Sequence, residues 1–376
     1  MKIIIFGAGR QGRRILDLLL ADEKYSISIY DKSKDVLKKL KKDYKDKIEF
    51  LKGIPAYESQ SFKKFLDSFD LIVDALPSIE SYKLMKECVR AGKKMVSVSY
   101  LEEDYMEFDL EAKKRKAVII PDCGAAPGLS HLFAGYSAKR LNNPEKVIMK
   151  VGALPEKPLP PFYHNITWSA YDLIQEYIRY AKIKKNGKIL RKKPLETMYQ
   201  ENLLGIELES FLTDGVRSFF HSFPEIANVE ERTLRHKGHL DFMKALDSIG
   251  LLKNREIKTE KFFIIPSEFL AHIFESELKN LPAEDLFIME VSVENKKEKE
   301  THLYLMKFDK KNRISALVNS VAITAFIAIK MLSSGKIKNY GVLPLEKIVD
   351  DDIYKSMVKA HIEFGAEYRF EKNEKG

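Results

Sequence analysis

The stretch Lys2-Ile3-Ile4-Ile5-Phe6-Gly7-Ala8-Gly9-Arg10-Gln11-Gly12 decides the fold. Its apolar, β-branched run reads as a strand buried on both faces, and the glycines end it. Segment 11–21 then repeats apolar residues at helical spacing, so the glycines occupy a strand-to-helix turn. In that setting G-x-G-x-x-G has a mechanical meaning: Gly7 permits the turn, Gly9 lets a pyrophosphate approach the backbone, and Gly12 lets helix and strand pack closely. The helix N-terminus, with Arg10 and Gln11 in its first turn, faces the phosphates of a dinucleotide.

The same rhythm continues downstream. β-branched apolar runs at 26–30, 48–51, 71–76, 94–98 and 117–120 alternate with helix-period segments at 33–42, 61–68, 81–91 and 102–116. This alternation predicts an α/β Rossmann domain, a doubly wound parallel sheet, over residues 1–126. Asp31 ends the second strand, where a carboxylate accepts the ribose hydroxyls; an acid there favours NAD over NADP, with Lys32 close enough to soften the preference. Ala75, Leu76 and Pro77 close the fourth strand at the same carboxyl edge and are read as cofactor-side residues.

After Gly128 the rhythm changes. A strand at 146–153, a proline-rich loop, a helix at 169–182, a strand at 229–235 and long alternating strands at 286–293 and 302–308 predict an α+β domain spanning 127–334. Segment 335–376 is read as a tail that returns to the first domain.

Composition narrows the classes. The chain has 376 residues, 45% of them hydrophobic, enough for two packed domains rather than a disordered chain. The net charge of +9 is spread along the chain, and such a balance attracts phosphates and carboxylates. The densest basic stretch, 179–193, centres on Asn186-Gly187 and reads as a solvated hairpin, not a nucleic-acid surface. Two cysteines exclude a disulfide framework. The apolar stretch 314–332 is interrupted by Ser315, Asn319, Ser320, Thr324 and Lys330, so it reads as a core helix, not a membrane span. Nothing reads as a leader or a metal-ligand spacing, and the expectation is a cytoplasmic protein without metal, nucleic-acid or membrane partners.

Further segments go beyond a generic dinucleotide fold: Val96-Ser97-Val98-Ser99-Tyr100, Asp122-Cys123-Gly124-Ala125-Ala126-Pro127-Gly128, and Thr233-Leu234-Arg235-His236-Lys237-Gly238-His239. With Gly152-Ala153-Leu154-Pro155, Phe211-Leu212-Thr213-Asp214-Gly215 and Gly341-Val342-Leu343-Pro344, this series resembles the saccharopine dehydrogenase family. The resemblance implies a Rossmann domain followed by an α+β substrate and dimerisation domain, and a homodimer or higher even-numbered homo-oligomer. Within the family the Ala-Ala-Pro-Gly run is similar to the L-lysine 6-dehydrogenase branch, because saccharopine-handling members carry Asp where this chain has Ala126. The implied reaction is NAD-dependent oxidative deamination of the ε-amino group of L-lysine. The alternative is oxidoreduction at the secondary amine of saccharopine, and a third reading is a non-catalytic sensor of NAD.

Such chemistry needs a base for the amine proton and a clamp for the substrate carboxylate. Asp122 and Tyr100, at strand ends near the cofactor edge, are the catalytic candidates. Arg235 is the expected carboxylate clamp, carried from the family's Thr-Leu-Arg position. Ser99, Trp168, Thr213 and His239 are expected to touch the substrate, and Gly124 and Pro127 the cofactor. Cys123 reads as a small buried hydrophobe rather than a nucleophile.

Overall fold

A computed structural model of the chain describes residues 1–166, 169–278 and 281–375. Two compact units emerge, Met1–Tyr136 with Val318–Phe364, and Ser137–Leu317 with Gly365–Gly376.

Along the chain the strands are β1 (Lys2–Phe6), β2 (Ser26–Tyr30), β3 (Glu49–Leu51), β4 (Leu71–Asp74), β5 (Lys94–Ser97) and β6 (Val118–Ile120). There follow β7 (Lys146–Pro155), β8 (Ala181–Lys185), β9 (Lys188–Lys192), β10 (Met198–Leu203), β11 (Ile206–Thr213) and β12 (Asn228–His236). The last are β13 (Ile257–Lys258), β14 (Phe263–Ile264), β15 (Asp285–Glu294), β16 (Glu298–Lys307), β17 (Gly341–Val342) and β18 (Glu367–Glu374).

The first sheet is parallel throughout and runs β17-β6-β5-β4-β1-β2-β3. This is the doubly wound order with one strand added beyond β6. Ile3, Ile4 and Ile5 have no exposed surface, which is why a strand of this sheet carries no polar alternation. Register brings Phe6 level with Tyr30 and with Asp74, and Asp74 level with Ser97. The residues after those four therefore share one edge.

The helix Ala316–Ser333 belongs to this unit from Val318 onward, which departs from an α+β domain running to residue 334. Its contacts explain the difference: Asn319 accepts a hydrogen bond from Arg14, and the Thr324 carbonyl accepts from Cys123. By length and composition it alone among the described residues could cross a bilayer, and 72% of it is buried inside the protein. The tail divides, because β17 joins β6 of the first sheet whereas β18 pairs with β16 of the second.

The second unit is built on a mixed sheet ordered β10-β11-β12-β7-β15-β16-β18, with the β8–β9 hairpin attached to β12. Only the β12–β7 pair is parallel. Asn186 and Gly187 close the hairpin at φ 50° and 77°, the geometry their side chains tolerate best. The hairpin is not wholly solvated: Lys184 is buried and its ammonium donates to the Pro224 carbonyl. The helix expected over 169–182 ends at Glu176, and the chain turns into β8 at Ala181, where the Lys182 amide donates to Asp214.

Candidate functional site

The glycine turn comes first. A β-carbon on Gly7 would stand 2.4 Å from the Ala75 carbonyl oxygen, and one on Gly12 would stand 1.9 Å from the Gly7 oxygen. Both positions are closed to any side chain. Gly9 differs, since a β-carbon there would meet nothing within 4 Å. It caps the helix Arg10–Leu20, whose first turn holds no acid and receives no side-chain cap. A helix N-terminus of this kind favours an anion. The buried Gln11 Oε1, in the same first turn, has no hydrogen-bond donor. The residues present fit a dinucleotide's pyrophosphate.

Asp31 plays a different part from the one expected. Its Oδ2 accepts the Ala8 amide at 2.8 Å and its Oδ1 accepts the Ser33 amide at 2.8 Å. The carboxylate ties β2 to the glycine turn, so its presence reports on the turn before it reports on a ribose. Lys32 and Lys34 flank it with exposed side chains.

At the end of β4, Asp74 is fully buried. Oδ2 accepts from Ser81 and from Ser97 at 2.6 Å, and Oδ1 accepts the Leu76 amide at 3.1 Å. Burial raises its pKa against these bonds. The sequence did not single Asp74 out as a site residue, although an acid at a strand end, level with the strand-end Ser97, is its signal. Ser99 donates to the Leu76 carbonyl at 2.7 Å, which assigns its proton to shaping the Ala75-Leu76-Pro77 loop rather than to a substrate. Tyr100 follows, half-buried.

The Asp122–Gly128 loop is tight. Asp122 lies in the left-handed region at φ 46°, and a β-carbon on Gly128 would meet Gly124 N at 2.5 Å and Asp122 O at 2.6 Å. Asp122 Oδ2 accepts the Tyr105 hydroxyl at 2.6 Å. The carboxylate is therefore held by a tyrosine, just ahead of the helix Leu129–Arg140. Gly124 is buried, with Val321 packed 3.7 Å from where its β-carbon would lie; Pro127 is half-buried beside it. Cys123 is a buried thiol whose pKa burial and Asp122 push up, the opposite of an activated nucleophile.

In the second unit β12 places Glu231, Thr233 and Arg235 on one face, with Thr213 of β11 opposite Glu231. Arg235 is 1% exposed. Its Nε donates to the Tyr177 hydroxyl at 2.8 Å, Nη1 to the Leu234 carbonyl at 2.9 Å, and Nη2 to Glu176. The expected carboxylate clamp is thus already closed on a carboxylate of the protein itself. His239 is equally committed: Nδ1 contacts the Phe162 carbonyl at 2.6 Å and Nε2 the Tyr177 hydroxyl at 2.7 Å. Burial, and then the Arg235 charge, lowers its pKa to about 3. Both ring nitrogens are thus engaged within the protein, and burial favours the neutral ring.

Thr213 donates to Glu231 Oε1 at 3.2 Å and contacts Thr233 Oγ1 at 2.9 Å. Glu176, Tyr177 and Glu231 were not anticipated, and Trp168 lies outside the described residues. Among the described residues no group of three His, Cys, Asp or Glu could hold a metal ion.

A family model described as the saccharopine dehydrogenase NADP binding domain matches residues 3–120, and one described as the saccharopine dehydrogenase C-terminal domain matches 124–363. The chain belongs to the saccharopine dehydrogenase family. A Saccharomyces cerevisiae relative named saccharopine dehydrogenase [NADP(+), L-glutamate-forming] is 22% identical over 271 residues, 67% of this chain and 58% of its own length. The mitochondrial alpha-aminoadipic semialdehyde synthase of Bos taurus is 20% identical over 268 residues, 68% of this chain and 29% of the relative. This family member thus spans just over half of the first and under a third of the second. The solved apo structure of saccharopine dehydrogenase (L-Glu forming) from Saccharomyces cerevisiae shares the fold, with a TM-score of 0.78, 18% identity and 99% of both chains covered.

These matches overturn the expected preference for NAD. The family's dinucleotide domain is described as NADP binding, and the fungal relative carries NADP(+) in its name. At this strand end Asp31 does not set the charge alone, since the exposed cations Lys32 and Lys34 flank it. The comparisons reach the saccharopine dehydrogenase family and do not single out its lysine-oxidising branch.

Proposed function

We propose that this chain is an NADP-linked oxidoreductase acting at a carbon–nitrogen bond of an amino acid, with the secondary amine of saccharopine as its substrate. One observation carries the reading: a glycine turn open only at Gly9 stands on the same chain as the family's C-terminal domain. When bound, the nicotinamide accepts or supplies a hydride at the carbon that bears nitrogen.

The chain's own residues do the rest. The amides after Gly9 receive the pyrophosphate, and Lys32 and Lys34 stand beside Asp31 to meet the 2′-phosphate. Asp122, steadied by Tyr105, is the candidate to take or give the amine proton, with Tyr100 as its partner at the neighbouring strand end. Thr213 belongs to the substrate side.

Absorbance at 340 nm tests the proposal, with purified protein, NADP and either saccharopine or L-lysine. NADPH formation with saccharopine alone supports it. Turnover with lysine and release of ammonia moves the chain to the primary-amine branch, the reading that Ala126 favours. Binding of NADP without turnover of either amine overturns the enzymatic reading in favour of a sensor.

A further inference from the structure

Glu231 has no place in the chemistry above, yet its surroundings are those of a binding group. It is 4% exposed, on the inner face of β12. Oε1 receives the Thr213 hydroxyl at 3.2 Å, and the buried Oε2 has no hydrogen-bond partner. Its carboxylate occupies the space above Gly215, where a β-carbon would fall 1.7 Å from Oε1 and 2.2 Å from Oε2. Glycine at 215 therefore keeps room for this group and no other side chain fits there.

Charge completes the picture. The groups that face Glu231 are Glu176 at the end of the helix Ala170–Glu176, Asp214 and Arg217 from the loop after β11, and Thr213 and Thr233 from the strands. Glu176 is neutralised by Arg235, which lies four residues along the same strand face. A buried carboxyl with one oxygen left without a hydrogen bond is an arrangement that a positively charged ligand completes.

We propose that Glu231 receives the ammonium group of the amino-acid substrate, an assignment that rests on the amine-oxidoreductase reading above. In the ligand-free chain burial raises its carboxyl to about 8, so at neutral pH it holds a proton. When an ammonium group settles beside Oε2, that proton leaves to the solvent and an ion pair takes its place. Binding of amine is thereby coupled to proton release.

The test is calorimetric titration of the full chain with saccharopine, and separately with L-lysine, at pH 7 in two buffers of different ionisation enthalpy. The wild type is expected to release a proton on binding amine. Glu231→Gln keeps the shape and the Thr213 bond, and is expected to bind amine at least tenfold more weakly without proton release, NADP binding being unchanged. Gly215→Ala, which pushes the carboxylate aside, should show the same loss. Amine binding and proton release that are identical in wild type and Glu231→Gln overturn the proposal, as does a wild type that binds neither amine. Amine binding that depends on Glu231 without any turnover sinks the enzymatic reading and leaves the site standing. Turnover of saccharopine indifferent to Glu231→Gln does the reverse.

Discussion

The Tyr177 hydroxyl lies 2.7 Å from His239 Nε2, and the direction of that bond is fixed from both ends. Arg235 Nε can only donate and the Phe162 carbonyl can only accept. The tyrosine therefore accepts from Arg235 and donates to Nε2, and the proton on the imidazole sits at Nδ1. A single buried thread of hydrogen bonds joins β12, the residue after the helix Ala170–Glu176, and the first turn of the helix His239–Ser248.

Tyr177→Phe cuts this thread twice. It strips the acceptor from a buried guanidinium N–H and the donor from a buried imidazole nitrogen. Each group left unsatisfied costs about 1–3 kcal/mol, so a loss of about 3 kcal/mol is expected in urea unfolding. A loss under about 0.5 kcal/mol, the range of an ordinary surface change, would show that the thread contributes nothing.

Acid should weaken the fold early. His239, His302 and His361 are each lowered by burial to about 3. A depressed histidine binds its proton in the unfolded chain first, so the stability it contributes is complete above pH 6.5 and is lost as pH falls toward 3. Melting temperatures between pH 6.5 and 5, above the ordinary carboxylate range, report this directly. His361→Asn is expected to remove up to about 1.4 kcal/mol per pH unit from that slope. An unchanged slope would count against the buried neutral state of His361.

The three motif glycines should separate by readout. Gly9→Ala adds a methyl group into open space and is expected to leave ligand-free stability within about 0.5 kcal/mol while weakening NADP binding. Gly12→Ala drives a methyl group against the Gly7 carbonyl and should destabilise the chain whether or not cofactor is present. Thermal unfolding of both variants with and without NADP distinguishes them. Equal losses of stability would mean that Gly9 is not at the phosphate position.

Coenzyme choice is expected to follow the lysines rather than Asp31. Lys32→Ala and Lys34→Ala each remove a charge-assisted phosphate contact worth about 1.5–3 kcal/mol, so kcat/KM for NADP should fall about tenfold or more. Asp31→Asn loosens the turn and should lower NADP affinity and stability together. If the lysine variants leave kcat/KM untouched, the 2′-phosphate is held elsewhere.

The first sheet was legible because a parallel strand buried on both faces leaves an uninterrupted apolar run, as Ile3–Ile5 does. The β10–β11 hairpin was not. Its strands carry Glu201, Glu207 and Glu209, which break the apolar pattern that marks a strand. In the fold Glu201 pairs with Lys150 and Arg232, and Glu209 accepts the Leu240 amide. Those partners are 31 or more positions away and cannot be seen in a local window. Glu230 and Glu231 show the same limit at the site. Two adjacent glutamates in a strand must point to opposite faces, but nothing local says which points inward. Register decides it: Glu231 lies across from Thr213, while Glu230 bonds Arg232 on the outer face. Arg235 misled for a related reason, since its own ion-pair partner, Glu176, sits on a distant helix.

β17 and β18 lie close together in sequence and complete different sheets. On the ribosome, neither sheet can acquire its full set of strands until residues 341–374 have cleared the exit tunnel. The two units cannot mature one after the other in the order of synthesis. A chain cut between residues 308 and 340 leaves β6 and β16 as bare edges exposed to wrong partners.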